Sequence, residues 1–343
     1  MSHEPSSHTF PDATAHLLRH LAARHYRFIT PTPLTHQRVL DRRAQPSWEH
    51  ANRHALDLRD VLGWNLPFDR QLLDPQLCTL MTEAGALLAA EPHVSGAPVA
   101  LWRSQLRVAS LGQDLLVHSA FPTVQNDAVF FGPDTYRFAR FITQNFEASA
   151  SASVFKAQLP VRILDIGCGT GAGGLAVLRA LGPQHQAILT LNDINPKALR
   201  YAAANMLAAG LTTQWLPGDA MTQVSSDYDV IIANPPYLDD TQQRAYRHGG
   251  ARLGRELSLR MAATALAHLA PGGQLLLYTG VAIVGGHDPF LAELKALFNG
   301  FEGRWTYSEI DPDVFGEELA RPVYADIDRI AAVGLVATRR DAP

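Results

Sequence analysis

At 343 residues, 47% of them apolar, the chain is long enough to bury the cores of two domains. Its 29 basic and 33 acidic residues leave a formal charge of -4, so no global positive field holds a polyanion without specific contacts. The two cysteines, Cys78 and Cys168, cannot build a disulfide framework or a zinc site and fit a reducing cytoplasm. Met1 to Thr14 lacks the apolar core of a signal peptide, and no run of about eighteen apolar residues is present to span a bilayer.

Residues 1–94 read as a smaller helical domain. Leu17, Leu18, Leu21 and Phe28 recur at helical spacing between Ala13 and Ile29, and Pro31 and Pro33 then stop that segment. Ser47 caps a second helix running through Ala55 and Leu58 to Leu62, and Asp74-Pro75 opens a third that reaches about Ala90. Between Ala13 and Arg43 six arginines (Arg19, Arg24, Arg27, Arg38, Arg42, Arg43) face one acid, Asp41. That bias reads as a solvated helical face or as a docking patch for RNA or an acidic protein. His16 and His20 share a helical face, but no cysteine or carboxylate completes a ligand set, so no metal is expected.

Residues 95–126 read as a β-hairpin linker, with Val99–Val108 and Asp114–His118 as its strands and Gly112 between them. From residue 127 to 343 the pattern becomes α/β. Asp134 or Thr135 caps a helix whose apolar face includes Phe138 and Phe141, and the Ala/Ser stretch from Ala148 to Val154 reads as a surface loop. Strands and helices then alternate: Val161–Ile166, Ala187–Asn192, Thr213–Leu216, Tyr228–Ala233, Gln274–Thr279, Arg304–Ile310 and Ala331–Thr338 are strands, with helices at Pro196–Ala209 and Leu257–Leu269. Repeated βαβ units with right-handed crossovers give a doubly wound, mostly parallel, seven-stranded sheet.

The stretch that organises this domain is Val161 to Gly174, a buried strand running into a glycine-rich turn and a helix. Gly169, Gly171 and Gly174 satisfy G-x-G-x-x-G, which by itself also fits a dinucleotide-binding Rossmann domain. A second stretch, Asn234-Pro235-Pro236-Tyr237 at the end of the Tyr228–Ala233 strand, separates the two. Asp165-x-Gly167-x-Gly169-x-Gly171 followed by this turn resembles the class I S-adenosylmethionine-dependent methyltransferases that modify planar nitrogens. The resemblance implies that Asp165, Gly167, Gly169 and Gly171 surround the methionine part of S-adenosylmethionine. It also implies that Asp219, with Ala220, contacts the adenine, and that the last strand inserts antiparallel. Asp193 ends the second strand, where a carboxylate can accept both ribose hydroxyls. It also reads as a helix cap before Asn195-Pro196.

An amide or exocyclic amine is a poor nucleophile because its lone pair is delocalised. Two acceptors aimed at its N–H groups favour the positive charge that develops on nitrogen and align the lone pair. The side-chain carbonyl of Asn234 and the backbone carbonyl of Pro235 can be those acceptors, two prolines lock the turn, and Tyr237 can stack on the planar group. Asn234, Pro235 and Tyr237 are therefore the candidate catalytic residues, with Pro236 completing the substrate turn.

The segment Asp239 to Gly254 is long enough to cover the pocket, and its Arg244, Arg247, His248 and Arg252 read mostly as surface charges. The acids of Asp311 to Glu318 could line the same rim and favour a cationic acceptor. The layout as a whole is similar to the HemK-type release-factor glutamine methyltransferases, most strongly from Val161 to Gly280. Departures are Gly132-Pro-Asp-Thr135, where that family has an Arg-Pro-type segment, and a tail after Gly280 that is longer than the family needs. Three acceptors stay open: a protein glutamine or similar amide, an exocyclic base nitrogen in RNA or DNA, and a small metabolite. A non-catalytic cofactor-binding regulator would have no use for an intact acceptor turn.

Overall fold

The computed structural model describes residues 10–44, 57–90, 101–150, 160–240, 244 and 246–341, without side chains at 147–150. Packing divides it into two units, Met1–Tyr136 with Arg200–Thr212, and Arg137–Leu199 with Thr213–Pro343.

In the first unit α1 (Phe10–Ala23) buries Ala13, Leu17, Leu18 and Leu21 on one stripe. It is shorter than its apolar spacing suggests, because His25 takes a left-handed backbone (φ 55°) just beyond its end. Phe28 is not helical: its N–H donates to Ser110 Oγ at 3.1 Å and its carbonyl accepts from Ser110 N–H at 2.8 Å. Pro33 starts a helix instead of stopping one. Thr32 caps α2 (Pro33–Arg43) by accepting from Thr35 N–H at 3.1 Å, and proline at the first helical position has no N–H to lose.

The Ser47 cap lies outside the described residues, and the expected helix does not run unbroken through Ala55 to Leu62: Asp57 is extended (φ -90°, ψ 128°) and caps a separate short helix, α3 (Leu58–Leu62). Asp74 caps α4 (Pro75–Glu83) as anticipated, and the helix ends early at Gly85, where φ is 60°.

The hairpin is redrawn by the structure. The run expected as one strand breaks at Gln105 into β3 (Leu101–Ser104) and β4 (Leu106–Leu111), which belong to different sheets. β3 lies between β1 (Phe68–Asp69) and β2 (Leu87–Ala89), whereas β4 pairs with β5 (Asp114–Ser119) around Gly112. Arg107 on β4 is buried. It donates to the Gly63 carbonyl at 2.9 Å and to His36 Nδ1 at 3.2 Å, so that nitrogen is unprotonated and Nε2 donates to the Trp64 carbonyl. Burial and the nearby guanidinium push His36 down to about 4.

α5 (Pro133–Ala150) begins at the Gly-Pro-Asp-Thr segment and continues through Ala148–Ala150, which the Ala/Ser composition suggests as loop. The second unit then follows the alternation read from the sequence: β6 (Val161–Ile166), α6 (Ala172–Leu181), β7 (Ala187–Asp193), α7 (Pro196–Ala208), β8 (Gln214–Pro217), α8 (Ala220–Gln223), β9 (Tyr228–Ala233), α9 (Glu256–Ala267), β10 (Leu269–Ile283), α10 (Pro289–Leu297), β11 (Gly303–Asp311) and β12 (Arg329–Arg339).

The seven strands lie in the order β11-β12-β10-β9-β6-β7-β8. β12 is antiparallel to both of its neighbours, as the resemblance implied, and the other pairings are parallel. β6 and β9 read as continuous apolar runs because helices cover both faces of the sheet. Leu164, Ile166, Ile231 and Ala233 are almost fully buried there with Leu275 and Leu277.

Candidate active site

Strand register assembles the site. Ile166 at the end of β6 lies beside Asn192 on β7 and Ala233 on β9, and Asp193 lies beside Pro217 on β8. Neighbouring strands run about 4.8 Å apart, so the glycine turn leaves the sheet between Asp193 and Asn234. The chain turns one way after β6 and the other way after β9, which makes this carboxyl edge the switch point where open α/β sheets hold ligands.

The glycine turn is held by its own backbone and two carboxylates. Gly167, Gly169 and Gly171 have φ of 67°, 54° and 77°, a conformation that costs a side-chain-bearing residue about 1 kcal/mol or more. Asp165 accepts from Gly174 N–H at 2.9 Å, and Asp193 accepts from Gly169 N–H at 2.9 Å and Asn195 N–H at 2.8 Å. Asp193 thus serves the turn and the start of α7 together. Burial raises both acids, Asp165 to about 7 with a further push from Asp193. Cys168 is free and buried, and burial raises its thiol well above the ordinary value.

This donor set fits a ligand with a flat polar part and a positive charge. A Cβ on Gly169 would meet nothing within 4 Å, so the turn opens on free space. Ile194, directly after Asp193, leaves 61% of its surface exposed at the same edge. Nothing in the sequence pattern singled it out; its signal is an apolar residue where a polar loop residue is expected. One strand further, Asp219 caps α8 by accepting from Met221 N–H at 3.0 Å, ahead of buried Ala220, and Arg260 stands 3.8 Å from its carboxylate.

The Asn-Pro-Pro-Tyr turn is built differently. Asn234 and Pro236 are half-buried, while Pro235 and Tyr237 are buried. The Tyr237 ring lies so close to Gly280 of β10 that a Cβ there would overlap it. Leu238 N–H donates to the Arg247 carbonyl at 3.1 Å, and Gly249 N–H donates to the Leu238 carbonyl at 2.8 Å. A side chain on Gly249 or Gly254 would overlap the backbone around Tyr237, so the chain packs against the turn at these two positions only with glycine.

Two arginines read as surface charges are structural. Asp240, which is buried, accepts from Arg244 Nε at 2.8 Å and Nη2 at 2.7 Å, and these bonds hold its carboxyl down at about 2. Arg247 and Arg321 both bind Glu318, the latter at 2.9 Å. Arg252 remains an exposed charge facing Glu293. The acids expected on the rim are accordingly divided. Asp311 pairs with Arg137 at 2.9 Å and Glu318 is buried between its arginines, which leaves Asp313 and Glu317 exposed. The Asp-x-x-x-Arg spacing at 240 and 244 was the available signal for the first pair; Glu318 had none.

A seven-stranded sheet of this order, with a glycine turn at its switch point, is the class I methyltransferase architecture that the sequence resembles. Residues 147–283 match the family model of the methyltransferase small domain. Among curated proteins, the chain is 35% identical to a release factor glutamine methyltransferase of Deinococcus radiodurans over 46% of its own length and 55% of the relative's. It is also 35% identical to a ribosomal RNA small subunit methyltransferase C of Mannheimia succiniciproducens, over 33% of this chain and 30% of that one. The chain therefore spans between about a third and just over half of these relatives. A solved S-adenosylmethionine-dependent methyltransferase from Agrobacterium tumefaciens aligns over 75% of this chain and 77% of its own, at 18% identity and a TM-score of 0.45. No helix among the described residues is long and apolar enough to cross a membrane.

Proposed function

We propose that the protein transfers a methyl group from S-adenosylmethionine to a planar nitrogen, with a protein glutamine or similar amide as the acceptor. The observation that carries this reading is the register of Ile166 with Ala233, which brings the glycine turn and the Asn-Pro-Pro-Tyr turn out of adjacent strands at one edge.

Asp165, Gly167, Gly169 and Gly171 would line the methionine end of the cofactor, Asp193 would accept its ribose hydroxyls, Ile194 would cover the adenine, and Asp219 with Ala220 would contact the adenine rim. The cofactor supplies the electrophilic methyl when bound. Asn234 and the Pro235 carbonyl accept the two N–H groups of the acceptor, which favours the charge that develops on its nitrogen, while Tyr237 holds its plane. No strong base is required, because the proton can leave to water after transfer.

Residues 1–94 would recognise the acceptor, 95–126 would link, and 127–343 would carry the chemistry, acting on a translation-related partner in the cytoplasm. The protein reading is favoured by the match to the release factor enzyme, which covers the larger share of both chains. The ribosomal RNA reading stands second on the shorter match to the small-subunit enzyme.

Radiolabelled methyl transfer to a purified release factor, to small-subunit ribosomal RNA and to a metabolite extract tests it. Label in the release factor supports the first reading. Label in RNA that falls steeply with salt supports the second. Label in none, with no binding of S-adenosylmethionine, would overturn both.

A further inference from the structure

The segment between β11 and β12 is not needed to connect two antiparallel neighbours, yet three of its side chains reach the acceptor turn. Phe315 sets its ring against Tyr237 in an edge-to-face pair, with centroids 5.7 Å apart and planes at 76°. The Tyr324 hydroxyl, on a ring only 2% exposed, accepts from Asp239 N–H at 2.7 Å. Glu318 ties Arg247, whose carbonyl holds Leu238 N–H, to Arg321, whose guanidinium lies 5.6 Å from the Tyr324 ring. The segment is anchored at its base by Val314 N–H donating to the Ile330 carbonyl on β12 at 2.8 Å.

Phe315 also has a left-handed backbone, φ 56° and ψ 37°. A bulky residue there is a steric outlier, and such strain persists where the surroundings impose it. Glycine would relieve the strain and lose the ring.

We propose that Phe315 and Tyr324 are positioning residues for methyl transfer: the 312–324 segment clasps the acceptor turn, Phe315 fixing the plane of the Tyr237 ring and Tyr324 fixing the main chain at Asp239. This rests on the methyl-transfer reading. It departs from the expectation that the segment serves through its acids. Because Phe315 acts through the ring that holds the acceptor plane, its loss weakens acceptor binding more than turnover.

The test uses the full chain and the variants Phe315→Ala, Phe315→Gly, Phe315→Tyr and Tyr324→Phe. Affinity for S-adenosylmethionine, amide exchange at residues 237–240 with S-adenosylhomocysteine bound, and steady-state methylation of a release factor and of small-subunit ribosomal RNA are measured for each. S-adenosylmethionine affinity stays within threefold of the parent. Exchange at 237–240 speeds up about tenfold in Phe315→Ala and Tyr324→Phe. In Phe315→Ala the KM for whichever of the two acceptors is used rises about tenfold with kcat within threefold, and Phe315→Tyr restores it. Phe315→Gly melts no lower than Phe315→Ala while sharing its KM defect.

Unchanged exchange and KM would overturn the proposal, as would a parallel collapse of melting temperature and cofactor affinity. If the parent methylates neither acceptor, the proposed function fails on those acceptors, and the exchange and affinity measurements still decide the clasp.

Discussion

The two turns at the carboxyl edge of the sheet are made in opposite ways. The glycine turn after β6 draws on nearby sequence: its glycines supply the left-handed conformations, Asp165 holds it from within, and Asp193 arrives from the adjacent strand. The Asn-Pro-Pro-Tyr turn after β9 is a short string held by remote parts of its unit: Gly249, Gly254, Gly280, Phe315 and Tyr324. The difference teaches that a motif can be conspicuous in sequence while the residues that give it a fixed shape are not.

Adding a methyl group to each turn sharpens the contrast. In Gly254→Ala the new Cβ overlaps the Tyr237 carbonyl and must also adopt φ 83°, so the variant should lose roughly 3 kcal/mol or more of stability in denaturant titrations. Gly169→Ala meets open space and carries only the conformational cost, about 1 kcal/mol. Equal losses would break the comparison.

Acid should act on the donor turn through Asp165. Its folded value near 7 lies above that of an unfolded carboxyl, so the folded state holds the proton more tightly. Stability from this group is fully present below about pH 4 and is lost as pH rises through about 7, on the order of 4 kcal/mol in all. His36 has the opposite sign: its value of about 4 means stability present above about pH 6.5 and lost as pH falls through 4. The melting temperature of the parent relative to that of Asp165→Asn should fall as pH rises from 5 to 8, the His36 contribution being common to both. Identical slopes would contradict the assignment.

The smallest effect expected is at the acceptor turn. Tyr324→Phe removes one acceptor from Asp239 N–H, about 1 kcal/mol, with no change in affinity for S-adenosylmethionine by calorimetry.

What was legible follows the same division. The strands of the second unit, their parallel order and the ends that carry Asp165, Asp193 and Asn234 could be read from apolar runs and turn residues, because burial on both faces leaves an uninterrupted signal. In the first unit, Phe28 falls into helical spacing by coincidence, and Pro33 reads as a stop although Thr32 before it is a cap. Leu101 to Val108 looked continuous although Gln105 divides it between two sheets. Glu318, Phe315 and Tyr324 lie 81 to 90 positions beyond Asn234, too far for any local pattern to connect them.

In the proposed reading the two turns divide the labour of holding donor and acceptor, and one paired measurement reaches that division. Asp193→Ala and Asn234→Ala are compared for S-adenosylmethionine affinity by calorimetry and for single-turnover methylation of a release factor or small-subunit ribosomal RNA. Asp193→Ala should weaken cofactor binding about 10- to 100-fold, whereas Asn234→Ala should keep it and slow transfer by roughly 100-fold or more. Equal loss of affinity in both variants, or full transfer in Asn234→Ala, would contradict it.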